Sequence, residues 1–239
     1  MCTAVTYHAA GNYFGRNLDY EHSFNESVTI TPRNYPFIFR KANPIHSHFA
    51  MIGMATVVSD YPLYFDATNE KGLSMAGLNF PENALYFPEK QNKDNITPFE
   101  LIPWILSQCS NTKEAINLIQ KINLINIPFK NEYPLTPLHW MIADQLHSIT
   151  VESTQKGIQI YDNPVGVLTN NPPFHYHMYN LTNYMNLTKE EPGNSFSKDI
   201  TLKPYSRGMG AMGLPGDFSS SSRFIKAAFT KLNSLRHAT

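Results

Sequence analysis

Short strand-like runs joined by tight polar turns make up most of this chain, and that pattern constrains its fold more than any other feature. Residues 3–7 and 12–16 flank the turn His8-Ala9-Ala10-Gly11, and 26–31 alternates through Val28 and Ile30 before stopping at Pro32. Residues 49–58 form an almost continuous apolar run around Gly53, which predicts a strand buried on both faces. Residues 65–68 and 73–78 face each other across Asn69-Glu70-Lys71-Gly72, a good hairpin turn. A meander is predicted from 139–144, 148–153, 157–161 and 165–169.

Helical signals are few and grouped. Thr97-Pro98-Phe99-Glu100 is a capping box with Pro at the first helical position, predicting a helix to about Ser107 with a kink at Pro103. Asn111-Thr112-Lys113-Glu114 opens a second helix, whose Ala115, Leu118, Ile119 and Ile122 share one face. Cys109 between them reads as a buried packing residue. Residues 81–95, 124–138 and 170–217 read as loops. Ser222 caps a last helix with Ile225, Ala228, Phe229 and Leu232 on one stripe. Helices grouped on a mainly antiparallel sheet argue an α+β fold, and no repeat or linker divides it.

Lys and Arg number 19 against 19 Asp and Glu, so no charge excess attracts nucleic acid or an anionic membrane. No apolar run approaches the roughly 20 residues of a membrane span, and no signal-peptide core follows Met1. Two cysteines make no disulfide framework. The expectation is a soluble, cytoplasmic protein.

Several motifs lead nowhere. Gly208-Met209-Gly210-Ala211-Met212-Gly213 has the spacing of a dinucleotide fingerprint, but no apolar strand precedes it and Pro215 interrupts the helix it needs. His46-Ser47-His48 and His175-Tyr176-His177 lack neighbouring Cys or acidic ligands and read as solvated loop histidines. Gly-x-Ser-x-Gly is absent.

Cys2 carries the chemistry. Removal of Met1, which a small second residue favours, leaves one residue bearing both a thiol and an α-amine. That amine titrates near ~7.7–8.0, so part of it is neutral at pH 7 and able to take the thiol proton. Arg16 and Asp19 lie within hairpin reach, one to stabilise a thiolate and the other to orient an ammonium. A buried thiol starting a strand is the alternative. Asn79 and Asn170 place amides just beyond apolar strands, as turn residues or as neutral donors for an oxyanion. Arg223 opens a helix, where the dipole disfavours a cation, so it is either a surface residue or has a specific partner.

The residues that carry a family likeness run in order over residues 1–233. They are Met1-Cys2-Thr3, Phe14-Gly15-Arg16-Asn17-Leu18-Asp19, Asp60-Tyr61-Pro62 and Asn69-Glu70-Lys71-Gly72-Leu73. Ala76-Gly77-Leu78-Asn79-Phe80-Pro81, Leu138-His139-Trp140, Val167-Leu168-Thr169-Asn170 and Gly213-Leu214-Pro215-Gly216-Asp217 follow. Together they resemble the choloylglycine hydrolases, the bile salt hydrolases and penicillin V acylases of the N-terminal-nucleophile hydrolase superfamily.

The resemblance implies a four-layer αββα sandwich with two central antiparallel sheets and a cofactor-free, metal-free amide hydrolysis. By it, Cys2 is the nucleophile and its α-amine the base, positioned and activated by Arg16 and Asp19. Asn79 and Asn170 supply oxyanion donors, and Arg223 supports the cysteine. Asn at position 79 resembles the bile salt hydrolases, whereas penicillin V acylases commonly carry Tyr there. The implied substrates are glycine- or taurine-conjugated bile salts; an acylase of penicillin V type is the alternative.

Leu18, Phe65, Ile127 and Phe129 are candidates for a steroid pocket or for plain core. Family members continue past the helix bearing Arg223, whereas Leu235-Arg236-His237-Ala238-Thr239 does not resemble that continuation. The expectation is one domain over 1–239 that lacks the family's C-terminal strands. That expectation leaves a catalytically silent relative as a third reading and puts the family's tetramer in doubt.

Overall fold

The structure, a computed structural model, describes residues 1–234; the closing stretch from Leu235 lies outside the described residues. In chain order, β1 (Thr3–His8), β2 (Asn12–Asn17), β3 (Ser27–Thr31), β4 (Met51–Val58), β5 (Tyr61–Asn69) and β6 (Ser74–Asn79) come first. After β7 (Asp94–Ile96) come α1 (Leu101–Gln108), α2 (Thr112–Ile119) and β8 (Ile122–Leu124). The remainder is β9 (Leu138–Ala143), β10 (Ser148–Thr154), β11 (Gly157–Asp162), β12 (Val167–Leu168), α3 (Phe174–Asn180) and α4 (Ser220–Asn233).

Three sheets result. A seven-stranded antiparallel sheet runs β11-β10-β9-β6-β5-β4-β3, a three-stranded one runs β12-β1-β2, and β7 pairs with β8 in parallel. The fold is α+β, as expected. Its two cores lie on opposite faces of the large sheet, because alternate residues of β6 point opposite ways. Met75 joins Trp140, Ile142 and Val151 beneath α1 and α2. Ala76 and Leu78 join Met141, Ala4, Val167 and Leu168 with Phe174, Phe224 and Ile225 of α3 and α4. That second core fastens the start of the chain to its last described helix.

Where the structure departs from expectation, a physical reason is visible. β4 is not buried on both faces: Ile52 is 48% and Val57 50% exposed, because β4 lies beside the edge strand β3 and only its Met51–Ala55 side meets the core. β6 and β9, at the centre, are the doubly buried strands. The capping box is present, but Pro98–Glu100 forms a 3-10 turn before α1, which puts Pro103 in the first turn, where no helical donor is lost. Ile122 leaves the α2 stripe to start β8. The fourth strand of the expected meander crosses over: β12 pairs with β1, Ala4 opposite Leu168. Helix α3 occupies part of the expected loop after residue 170. Among the described residues, no helix is long and apolar enough to cross a membrane.

The β5–β6 hairpin also anchors the helical layer. The buried Asn69 carboxamide accepts from the Lys71 and Leu73 amides at 3.0 and 3.1 Å and donates to the Leu106 and Cys109 carbonyls at 2.8 Å each. It therefore closes the turn and satisfies two carbonyls at the end of α1. Replacing Asn69 by Ala strands these groups and should cost about 2–4 kcal/mol. Urea unfolding of the variant checks this, and an unchanged midpoint would contradict it.

Candidate active site

Strand pairing brings Cys2 and Asn170 together. With Ala4 opposite Leu168 in the antiparallel β1–β12 pair, Cys2 lies two positions back and Asn170 two positions on, directly across. The Cys2 amide donates to Asn170 Oδ1 at 2.9 Å, and the thiol is buried. From the end of β6, the Asn79 carbonyl accepts from Asn170 Nδ2 at 2.8 Å. Asn170 thus joins the small sheet to the large one.

Arg223 completes the cluster from the first turn of α4. Its Nη2 donates to Asn170 Oδ1 at 2.8 Å, its Nη1 to Thr3 Oγ1 at 2.7 Å and to the Cys2 carbonyl, and its Nε to the Phe218 carbonyl at 3.0 Å. Four acceptors offset the unfavourable helix dipole, so of the two readings of this position the specific partnership is the one observed. Burial lowers the Arg223 pKa from its ordinary value, opposed by Cys2 and Asp19. The pattern also fixes the Asn170 amide orientation, since two donors meet one terminus and a carbonyl meets the other. One Asn170 Nδ2 proton and the whole Asn79 carboxamide have no partner among the described residues. Both residues line a cavity of about 380 Å³ beside Cys2.

Arg16 and Asp19 take different stations. The Arg16 side chain is only 4% exposed; it donates to the Gly77 carbonyl at 2.9 Å and lies 3.4 Å from Asp66, and its Nε has no partner among the described residues. Burial raises the Asp66 pKa despite that arginine, which fits a loose ion pair. Asp19 lies in the Cys2 cavity, where its backbone carbonyl accepts from the Met1 ammonium and its Oδ2 is 3.4 Å from it. With Met1 attached, the Cys2 nitrogen is an amide, and the free amine one residue earlier already rests on Asp19.

The four apolar pocket candidates do not line this cavity. Leu18 borders a second cavity with Phe14, Arg16, Ile52 and Met54. Phe65 packs on Phe24, which in turn meets Tyr20 edge-on. Phe129 belongs to an aromatic cluster with Tyr61, Phe99 and Tyr133, and Ile127 sits half-buried on the same loop. The Cys2 cavity is walled instead by Tyr20, Glu21, His22, Pro81, Asn171 and Ser220. Tyr20-Glu21-His22 directly follows Asp19, but no periodicity marks it.

Behind Asn170 lie groups that sequence reasoning passed over. His177 is on α3 and buried, not in a solvated loop, and His48 is also buried, with both ring nitrogens on backbone carbonyls. His177 Nε2 meets the Asn170 carbonyl at 2.9 Å, and His139 Nε2 meets the Thr169 carbonyl at 2.7 Å. Ser220 Oγ accepts from the Asn170 amide at 2.8 Å. Among the described residues, no three His, Cys, Asp or Glu side chains cluster closely enough to hold a metal ion.

A buried thiol, polar donors at a cavity and an arginine with four acceptors fit acyl transfer on a fold of this class. The chain matches the linear amide C–N hydrolases of the choloylglycine hydrolase family over residues 2–239. It is 59% identical to the bile salt hydrolase/transferase of Lactiplantibacillus plantarum over 239 residues, all of this chain and 74% of that protein. The crystal structure of a variant of the conjugated bile acid hydrolase from Clostridium perfringens superposes with a TM-score of 0.89 at 38% identity, over 97% of this chain and 72% of that one. Penicillin V acylase from Agrobacterium tumefaciens shares the fold, with a TM-score of 0.74 at 18% identity over 97% of this chain and 65% of that one. The chain belongs to the choloylglycine hydrolase family, and its chemistry is hydrolysis of linear amide C–N bonds.

Burial pushes the His177 pKa down from 6.5 to about 4, only partly opposed by its bond to the Asn170 carbonyl. The unfolded chain therefore binds a proton that the folded chain refuses between these values, so stability falls as pH drops through this window. His177→Gln keeps an N–H donor without the titration and should flatten that part of the slope. Urea midpoints measured at about pH 7 and about pH 4 for both proteins check this; identical slopes would contradict it.

Proposed function

We propose that this protein hydrolyses the amide bond of glycine- or taurine-conjugated bile salts, with Cys2 as its N-terminal nucleophile. The observation that carries the substrate class is 59% identity over the whole chain to a bile salt hydrolase/transferase. Asn79, which resembles the bile salt hydrolases at that position, supports it.

In this reading Met1 is removed. The Cys2 nitrogen then becomes an α-amine where the amide stood, held by Asn170 Oδ1 at 2.9 Å and left facing Asp19, which gives up the Met1 ammonium. The amine takes the thiol proton, and the thiolate attacks the substrate carbonyl. The carbonyl oxygen gains charge and is met by the Asn79 carboxamide and the second Asn170 Nδ2 proton, neutral donors already in place. The C–N bond breaks, the amine of glycine or taurine leaves with the proton from the ammonium, and a thioester remains on Cys2. Water, deprotonated by the same amine, cleaves the thioester and restores the thiol. Arg223 fixes the Cys2 backbone and Asn170. Arg16, buried against Gly77, positions the strand behind Cys2. Removing Met1 also widens the cavity that it helps to line, leaving room for the conjugate.

The four-layer αββα sandwich belongs to the same reading. Helices α1 and α2 on one face of the large sheet, and the small sheet with α3 and α4 on the other, support that order.

The test is release of glycine from glycocholate and taurine from taurocholate, compared with release of phenoxyacetate from penicillin V. Faster bile-salt turnover is expected, and Cys2→Ser should reduce it by at least about 10³-fold. Preference for penicillin V would overturn the substrate assignment; an unaffected Cys2→Ser rate would overturn the nucleophile.

A further inference from the structure

Asn170 is held from behind as well as in front. Its carbonyl and that of Thr169 are adjacent along the chain, and each meets a different buried imidazole. A carbonyl only accepts, so both Nε2 atoms carry protons. His177 then has a bare Nδ1, which has no partner among the described residues, and is neutral, in keeping with its lowered pKa. His139 Nδ1 faces Glu152 Oε1 at 3.2 Å, and both side chains are fully buried. The same Oε1 accepts the Phe174 amide at 2.9 Å, which ties this pair to the first residue of α3.

Aromatic rings hold both imidazoles flat. His139 stacks on Phe80 with centroids 4.3 Å apart and planes 6° apart, and His177 stacks on Phe224 at 4.7 Å and 18°. Phe80 follows Asn79, and Phe224 follows Arg223. Each stack therefore joins a ring that grips the Thr169-Asn170 backbone to a residue adjoining one that meets the Asn170 carboxamide.

We propose that His177, seconded by the Glu152–His139 pair, is a positioning residue for amide hydrolysis. By holding the Asn170 backbone it aims the Asn170 carboxamide, whose Oδ1 holds the Cys2 nitrogen and whose free Nδ2 proton faces the cavity. The role rests on the reading of Cys2 as nucleophile. A hydrophobic residue in place of His177 fills the same space but leaves the Asn170 carbonyl unheld, so the carboxamide can turn away from the reacting atoms. Displacement of about 1 Å at such a position costs on the order of 100-fold in rate without changing what the cavity binds.

The experiment compares His177→Leu, which removes the donor, with His177→Gln, which restores one N–H. His177→Leu should lower kcat for glycocholate by about 10- to 100-fold with KM within about threefold, and His177→Gln should recover to within about threefold of the native rate. Both should melt cooperatively. Ser220→Ala, which loses the acceptor of the Asn170 amide and the hydroxyl donor to Thr169 Oγ1, loosens the same Thr169-Asn170 backbone from another side should His177→Leu fold poorly. The alkylation rate of Cys2 by iodoacetamide should rank the proteins in the same order, and this reads the nucleophile even without amide turnover. A loss shared equally by Leu and Gln, or no loss with Leu and with Ser220→Ala, would overturn the proposal. Cys2→Ser in the same assay separates the two ideas: turnover that survives it refutes the nucleophile, whereas alkylation rates still judge the positioning role.

Discussion

The two hydrogen bonds accepted by Asn170 Oδ1, one from the Cys2 nitrogen and one from Arg223, are the contact on which the rest of the site depends. They join segments separated by 168 and 53 residues, so the site exists only when the first strand, the crossover strand and the last described helix are assembled together. A carboxamide suits this place because one end accepts twice while the other donates to the Asn79 carbonyl and keeps a second proton at the cavity. An aspartate there would accept from Arg223 but offer no proton to the Asn79 carbonyl or to the cavity. A leucine would leave the Cys2 nitrogen, the Asn79 carbonyl and one Arg223 amino group without these partners, and a polar group stranded away from water is costly.

Two arginines divide the electrostatic work. Arg223 grips backbone and amide groups at the cavity wall and keeps a positive field near the thiol without forming an ion pair that would neutralise it. Arg16 is paired, though loosely, with Asp66 and bonded to the Gly77 carbonyl, deeper between the sheets. Its Nε has no partner among the described residues, so the polar groups of this buried guanidinium are incompletely satisfied. The cavity at Cys2 is bordered by the carboxamide residues Asn79, Asn170 and Asn171 and by charged groups at Met1, Asp19, Glu21 and Arg223.

Local chemistry was the most readable part of the sequence. The Asn69 turn, the Thr97 capping box and the Asn111 cap depend on neighbours within five residues and appear as expected. The position of Arg223 at a helix start left two readings, a surface residue or one with a specific partner, and its four acceptors decide for the second. What distance decides was less legible. Val167 and Leu168 look like any other strand residues, and only the pairing with Ala4 and Val5 sends them to the second sheet. Helix α3 begins after two prolines, is rich in aromatics and lacks a capping side chain, so His177 looked like a loop histidine. Apolar character alone did not point to the Cys2 cavity: Phe129 packs tilted against Tyr61 and edge-on against Phe99, while the wall of that cavity comes from the polar run after Asp19.

The central claim is that Cys2, freed of Met1 and held by Asn170, carries the acyl group during turnover. It is tested most directly by quenching the protein in acid during glycocholate turnover and mapping the adduct by peptide mass spectrometry. A cholyl group on Cys2, found only on chains that begin at that residue, is the predicted result. Turnover by chains that retain Met1, or a cholyl adduct on any other residue, would contradict it.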